Sequence, residues 1–283
     1  MSEAQQAPTM PASELETLDY PSIRLQFDGP LATITLNDSD RLNALGEEMA
    51  GSIATAVMEL SKPRRRVRAV LITAEGRAFC AGVNLMGTRK AVSEGTNKLA
   101  VISSLESLFH PMLRRLHSLS IPVIVGVNGL AIGVGLGIVI TGDYIIASEA
   151  AWFQTPFKNL ASAPDSGTTW LLPRIVGPIR AKRMLLRAER VDAQTALDWG
   201  LVSEVVPADQ FAARAREVAM EFANDATIAL GEIKKLINNG VRVDLNTALE
   251  AEAEAVARTA RTKDNVAAVK VFATKNKPVF TGE

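Results

Sequence analysis

The apolar positions along the chain change period several times. Leu31-Ala-Thr-Ile-Thr-Leu36 is rich in β-branched residues and runs into the polar stretch Asn37-Asp-Ser-Asp40, so it predicts a strand and a turn. From Asn43 to Leu60, the residues Leu45, Met49, Ile53, Val57 and Leu60 fall three or four apart, the spacing of one helical face. Val67 to Thr73 predicts a second strand, Gly76 to Gly87 a loop, and Leu99 to Leu119 a helix. Pro122 to Val127 is almost wholly apolar and stops at Asn128-Gly129, which suits a strand buried on both faces. Tyr144 to Ala147 and Leu201 to Val206 are later strand candidates. Strands alternating with helices argue for an α/β fold with parallel strands.

Past about residue 207 the strand pattern stops. Ala208 to Ala223, Ala226 to Asn239, Asn246 to Arg261 and Asp264 to Ala273 all carry helical spacing. At the other end, the first twenty residues are polar, contain Pro8 and Pro11, and precede the first basic residue, Arg24. They lack the basic start and apolar run of a secretory signal and the arginines of a mitochondrial presequence. The expected organisation is therefore a disordered tail over 1–20, an α/β core over 21–206 and a helical region over 207–283. No apolar stretch reaches the roughly 18 uninterrupted residues of a membrane span. The ending Val279-Phe-Thr-Gly-Glu283 is not a peroxisomal address. A soluble, cytoplasmic protein with no membrane partner is the expectation.

Composition narrows the chemistry. The 283 residues include 31 basic and 31 acidic side chains, one cysteine and two histidines, with 47% apolar residues. That apolar share can fill a large core without disulfides or metals. Zero net charge supplies no global field for nucleic acid, so no nucleic-acid partner is expected. One cysteine excludes an intrachain disulfide framework, and two histidines leave little for a metal centre, so no metal is expected. Catalysis, if present, falls to carboxylates, hydroxyls or backbone amides.

Two segments stand out. Phe79-Cys-Ala-Gly-Val-Asn-Leu85 follows the strand at 67–73, and Asn128-Gly-Leu-Ala-Ile-Gly-Val-Gly-Leu-Gly-Ile-Val-Ile-Thr-Gly-Asp143 follows the strand at 122–127. Ligands of α/β folds gather at such strand ends. Gly133, Gly135 and Gly137 permit close backbone approach and open a helix whose first amides lack partners. Two turns of this kind could aim two N–H groups at one oxyanion. The same glycines could equally serve tight packing alone. Their G-x-G-x-G spacing, with no acid about 20 residues on, does not fit a dinucleotide fingerprint.

The pair AGVNL and NGLAIGVGLGIVITGD resembles the crotonase superfamily, the enoyl-CoA hydratase/isomerase fold. Leu36-Asn-Asp-Ser-Asp-Arg-Leu-Asn-Ala-Leu45, Pro122-Val-Ile-Val-Gly-Val-Asn-Gly129, Leu172-Pro-Arg-Ile-Val-Gly177, Ala196-Leu-Asp-Trp-Gly-Leu-Val202 and Lys277-Pro-Val-Phe280 are similar to further family segments, so the likeness covers roughly 22–283. It implies a ClpP-like spiral of ββα units with a helical C-terminal oligomerisation region, assembled as a homotrimer or as a hexamer made of two trimers. It implies an acyl-CoA ligand, with coenzyme A present as part of the substrate thioester rather than as a bound cofactor. By position, the thioester oxygen would lie between the amides of Ala81 and Val134. Gly82, Val83, Asn84, Leu85, Gly133, Phe157 and Trp170 would border the substrate, and Arg41 would lie near the nucleotide.

The family's hydratases hold water between two glutamates. Their positions correspond here to Gly137 and Phe157, neither of which can act as acid or base. That argues against ordinary hydration. Phe153-Gln-Thr-Pro-Phe157 and Ala163-Pro-Asp-Ser-Gly-Thr-Thr-Trp-Leu-Leu-Pro-Arg174 instead resemble two isomerase branches, the Δ3,Δ2-enoyl-CoA isomerases and the 1,2-epoxyphenylacetyl-CoA isomerases. The resemblance puts their base at Asp165. The favoured expectation is an isomerase that shifts a double bond through a dienolate, with Asp165 as the single base. An epoxide- or oxepin-type aromatic acyl-CoA isomerase with the same acid, a non-catalytic acyl-CoA-binding trimer and a divergent enoyl-CoA hydratase or thioesterase are the alternatives. Burial beside Trp170, Phe153 or Phe157, balanced by Ser166, Thr168 or Thr169 hydroxyls, would suit Asp165 to this work.

From the residues alone, Pro164-Asp-Ser-Gly167 ahead of a helix is also a helix start, with Asp165 as the cap. Asp192 reads as another cap and Asp143 as a turn acid. Cys80 reads as packing, His110 and His117 as ordinary helix residues, and the basic run Lys62 to Arg68 as a solvated turn.

Overall fold

The computed structural model describes residues 15–84, 103–274 and 276–283. Strand β1 (Glu16–Tyr20) pairs antiparallel with β2 (Ile23–Asp28), which pairs antiparallel with β3 (Leu31–Leu36). The sheet continues in parallel through β4 (Ala69–Ala74), β6 (Val123–Val127), β8 (Tyr144–Ser148) and β11 (Glu204–Val206). The disordered tail expected through residue 20 is therefore too long. Leu18 and Tyr20 alternate onto the core, a period of two too brief to stand out beside the polar lead.

Each inner parallel strand hands the chain to a second, smaller sheet. β4 is followed by β5 (Ala78–Cys80), β6 by β7 (Leu130–Ile132) and β8 by β9 (Trp152–Gln154). These short strands pair in parallel, and β10 (Val191–Asp192) adds antiparallel to β9. The loop expected over Gly76 to Gly87 thus contains β5. Three residues are too few to show a period, so such strands arise only from their pairing. This is the expected α/β spiral of ββα units.

The strand expected to be buried on both faces is so. Val123, Val125 and Val127 of β6 join the main core, which includes Met49, Ile53 and Val57 of helix α1 (Glu47–Leu60). Ile124 turns the other way and packs with Leu71 and Ile146 on Phe211, Ala215 and Val218. Helix α1 begins four residues later than the apolar spacing suggests. Leu42 and Asn43 adopt left-handed backbone, and the buried Asn43 amide donates to the carbonyls of Glu75 and Ala78, both at 2.9 Å. Its Oδ1 accepts the Asp38 N–H at 2.8 Å. Asn43 thus ties the turn after β3 to the turn after β4.

Further helices follow among the described residues: α2 (His110–His117), α3 (Val134–Val139), α4 (Thr168–Val176), α5 (Pro178–Arg187) and α6 (Ala193–Asp198). The C-terminal helices are α7 (Phe211–Ala223), α8 (Thr227–Gly240), α9 (Leu245–Thr259) and α10 (Lys263–Val271). Asp192 caps α6 as expected, accepting the Thr195 N–H at 2.7 Å. Asp143 is a turn acid that also accepts the Val123 N–H and the Lys234 ammonium, both at 2.7 Å, and so anchors α8.

The basic run is not a solvated turn throughout. Arg65 bonds Glu59 and Glu16, and its guanidinium stacks 4.3 Å from the Phe27 ring centroid. Arg68 reaches the carbonyls of Asp225 and Phe280. Among the described residues no helix is long and apolar enough to cross a membrane.

Candidate active site

The turns after β5 and β7 meet at one wall of a cavity of about 1000 Å³. Ala81, Gly82, Val83 and Asn84 come from the first turn, and Ile132, Gly133 and Val134 from the second. Pro156, Phe157, Pro164, Asp165 and Ser166 close a further side, while Met49, Leu105 and Phe109 supply apolar surface from α1 and the helical stretch leading into α2. Arg41 lines the opening beside Asp38, 3.4 Å away, and its side chain is exposed.

Gly133 sets the direction of the second turn. Its φ of +55° lies where L side chains are strained, and its N–H donates to the Gln154 carbonyl at 2.9 Å. The chain then enters α3. Val134 is its first residue, so its N–H has no partner within the helix.

The first turn departs from expectation. The Ala81 N–H is already bonded to the Leu42 carbonyl at 3.0 Å. It is not a free donor. Leu45 then brackets Val83 as a parallel bridge: its N–H donates to the Gly82 carbonyl at 2.7 Å and its carbonyl accepts from Asn84 N–H at 3.0 Å. In that pattern the bracketed residue's own N–H turns away from its partner. The Val83 amide accordingly has no acceptor among the described residues. Val83 therefore offers an unengaged amide in this turn, two residues beyond the expected one. A signal existed in the glycine before it, since a turn through Gly82 reorients the amide that follows.

Asp165 lies on the cavity wall, half-buried. It does not cap a helix with its side chain. Helix α4 begins after Gly167, and Asp165 serves it through its backbone carbonyl, which accepts the Thr168 N–H at 3.1 Å and the Thr168 hydroxyl at 2.8 Å. The carboxylate is left over, with Oδ1 accepting the Ser166 hydroxyl at 2.6 Å. Of the hydroxyls expected beside it, Ser166 alone reaches the carboxylate among the described residues. Asp38, Glu47 and Glu48 also line the cavity, but from the side of α1 and the Arg41 turn.

Gly137 lies one helical turn after Val134, and a Cβ on it would stand 2.5 Å from the Ser166 Cβ and 2.9 Å from the Ser166 carbonyl oxygen. Ser166 thus fills the volume a side chain at 137 would need. The contact brings the Asp165-Ser166 pair against the face of α3 that Val134 begins. Phe157 is buried and forms cavity wall.

Trp170 does not border the cavity. It sits in T-shaped contact with His117, its ring centroid 6.2 Å away, with the guanidinium groups of Arg174 and Arg242 at 4.0 and 4.9 Å. Three residues past Gly167, the helix has turned this side chain away from the cavity. Phe153 is fully buried in β9, away from the wall. Leu85 lies outside the described residues. Cys80 is fully buried, and burial pushes its thiol up to about 11, so it is packing rather than a nucleophile.

The family model for enoyl-CoA hydratase/isomerase matches residues 26–283. The chain is 35% identical to 1,2-epoxyphenylacetyl-CoA isomerase of Escherichia coli, over 89% of this chain and 95% of that one. It is 30% identical to short-chain-enoyl-CoA hydratase of Clostridium acetobutylicum, over 92% and 97%. Among solved structures, an enoyl-CoA hydratase from Bacillus anthracis superposes with a TM-score of 0.83 at 30% identity, covering 95% of this chain and 99% of that one. An enoyl-CoA hydratase/isomerase from Cupriavidus metallidurans gives 0.86 at 27%, covering 94% and 98%. With a ββα spiral, glycine turns at two strand ends and a family match over nearly all its length, the chain belongs to the enoyl-CoA hydratase/isomerase family.

Proposed function

We propose that the protein is an acyl-CoA isomerase that moves the double bond of a 3-enoyl-CoA thioester into conjugation. One observation carries this reading. Asp165 lines the same cavity as Val134 and is joined through Ser166 to the Gly137 face of α3, the other lining carboxylates coming from the side of α1 and the Arg41 turn, while the positions of the hydratase glutamates carry Gly137 and Phe157. One carboxylate is what a 1,3-proton shift needs, because the same group can act as base and then as acid.

In this scheme the thioester oxygen accepts from the amides of Val83 and Val134. Asp165 takes a proton from Cα, and the negative charge spreads onto the thioester oxygen as a dienolate. The proton then returns at Cγ, leaving a 2-enoyl thioester. The oxyanion contacts are worth most in the transition state, where charge develops. Coenzyme A would run past Arg41. Apolar side chains left exposed on the C-terminal helices, among them Ile233, Ile237, Val256 and Val269, support assembly as a homotrimer or hexamer.

A second reading keeps the same acid and amides but takes an aromatic epoxide thioester, favoured by the name of the Escherichia coli relative. A panel of acyl-CoA thioesters, read by mass and ultraviolet absorbance, separates the two. The expected result is conversion of 3-hexenoyl-CoA to the conjugated isomer, with Asp165→Asn losing about 100-fold or more in kcat while acyl-CoA affinity is retained. Wild-type turnover in that variant, or addition of water to crotonyl-CoA at a rate comparable to isomerisation, would overturn the reading.

A further inference from the structure

Ser166 occupies a backbone conformation that does not suit a serine. Its φ is +58°, in the left-handed region where glycine is the default occupant. Its side chain is almost fully buried, 2% exposed, with the Cβ packed against Gly137. The strain and the burial of a hydroxyl need a compensating interaction. The structure offers one: the hydroxyl donates to Asp165 Oδ1 at 2.6 Å, the short distance of a charge-assisted bond.

The other carboxylate oxygen, Asp165 Oδ2, has no donor among the described residues. A half-exposed aspartate left to itself rotates about two bonds. Held at Oδ1, it presents Oδ2 in one place. Glycine at 137 leaves the room for Ser166 to do this.

We propose that Ser166 is a positioning residue, whose hydroxyl fixes the Asp165 carboxylate and leaves Oδ2 as the oxygen that exchanges protons with the substrate. The proton-exchange part rests on the isomerase reading; the holding of the carboxylate does not.

The test uses Ser166→Ala, which keeps the Cβ contact, and Ser166→Gly, which relieves the positive φ. A defect common to both belongs to the hydroxyl. Both variants should lose about tenfold in kcat on 3-hexenoyl-CoA with KM near wild type. The Asp165 Cβ order parameter, measured by NMR relaxation in the intact protein, should fall in both variants, because the carboxylate has lost the bond that holds it. Wild-type kcat and an unchanged order parameter in two folded variants would overturn the proposal with the base reading intact. Wild-type turnover in Asp165→Asn would overturn the proton-exchange role, and the order parameter would then decide whether Ser166 holds the carboxylate.

Discussion

The Cβ of Ser166 stands where a side chain on Gly137 would begin. A Cβ built at 137 would lie 2.5 Å from it, well inside contact distance. Helix α3 and the loop before α4 therefore meet through a glycine and a serine that exclude any larger pair.

This contact sets the first prediction. Gly137→Ala should destabilise the protein by about 1–3 kcal/mol through overpacking, despite alanine's better helix propensity. Gly137→Glu should cost more and should not create a hydratase, because the new carboxylate and Ser166 compete for one volume. Urea unfolding checks the first statement and a crotonyl-CoA assay the second. A stable Gly137→Glu variant that hydrates crotonyl-CoA would refute both.

The second prediction concerns Lys234 and Asp143. Their 2.7 Å ion pair fastens α8 to the turn before β8, with the lysine side chain only 8% exposed. Burial lowers the Lys234 pKa from its ordinary value, and Asp143 opposes that shift. Lys234→Ala leaves the carboxylate without its cation. The expected loss is about 3 kcal/mol, read as a lower urea midpoint. Lys234→Met paired with Asp143→Asn should recover part of it, since the neutral pair removes the stranded charge.

The third prediction is a pH dependence at Glu59. Lys62 and Arg65, with Arg64 adding to them, hold its carboxyl down to about 2, against an ordinary 4.5. A depressed folded-state pKa contributes stability above the unfolded value and loses it as pH falls toward the folded one. The difference in melting temperature between wild type and Glu59→Gln should therefore be full above about pH 4.5 and fade as pH approaches about 2. A difference that grows on acidification would contradict this assignment.

Much of the fold could be read from the residues. The apolar runs at 31–36, 67–73 and 122–127 are long enough to carry a strand signal, and they form β3, β4 and β6. The helical spacing of the last seventy-odd residues recurs as α7 to α10 within a few residues at each end. The glycine turns after two strands both line the cavity. By contrast, β5, β7 and β9 have three residues each and exist through pairing with segments distant in the chain. Helix α1 starts later than its apolar spacing suggests because Asn43 uses its side-chain amide to hold two turns together, a role that spacing does not reveal.

The amino-acid sequence by itself determined the alternation of elements, the absence of carboxylates at 137 and 157, and the presence of one at 165. Those are properties of residue types in order. Which groups are free to act was decided by the tertiary structure. Ala81 lost its amide to Leu42, Val83 kept one because Leu45 brackets it, Trp170 turned outward, and the Asp165 carboxylate was left uncommitted to α4 while its carbonyl took the cap. The physical reason is the same in each case. A hydrogen-bonding group's availability depends on what else lies within about 3 Å of it, and that neighbour comes from elsewhere in the chain.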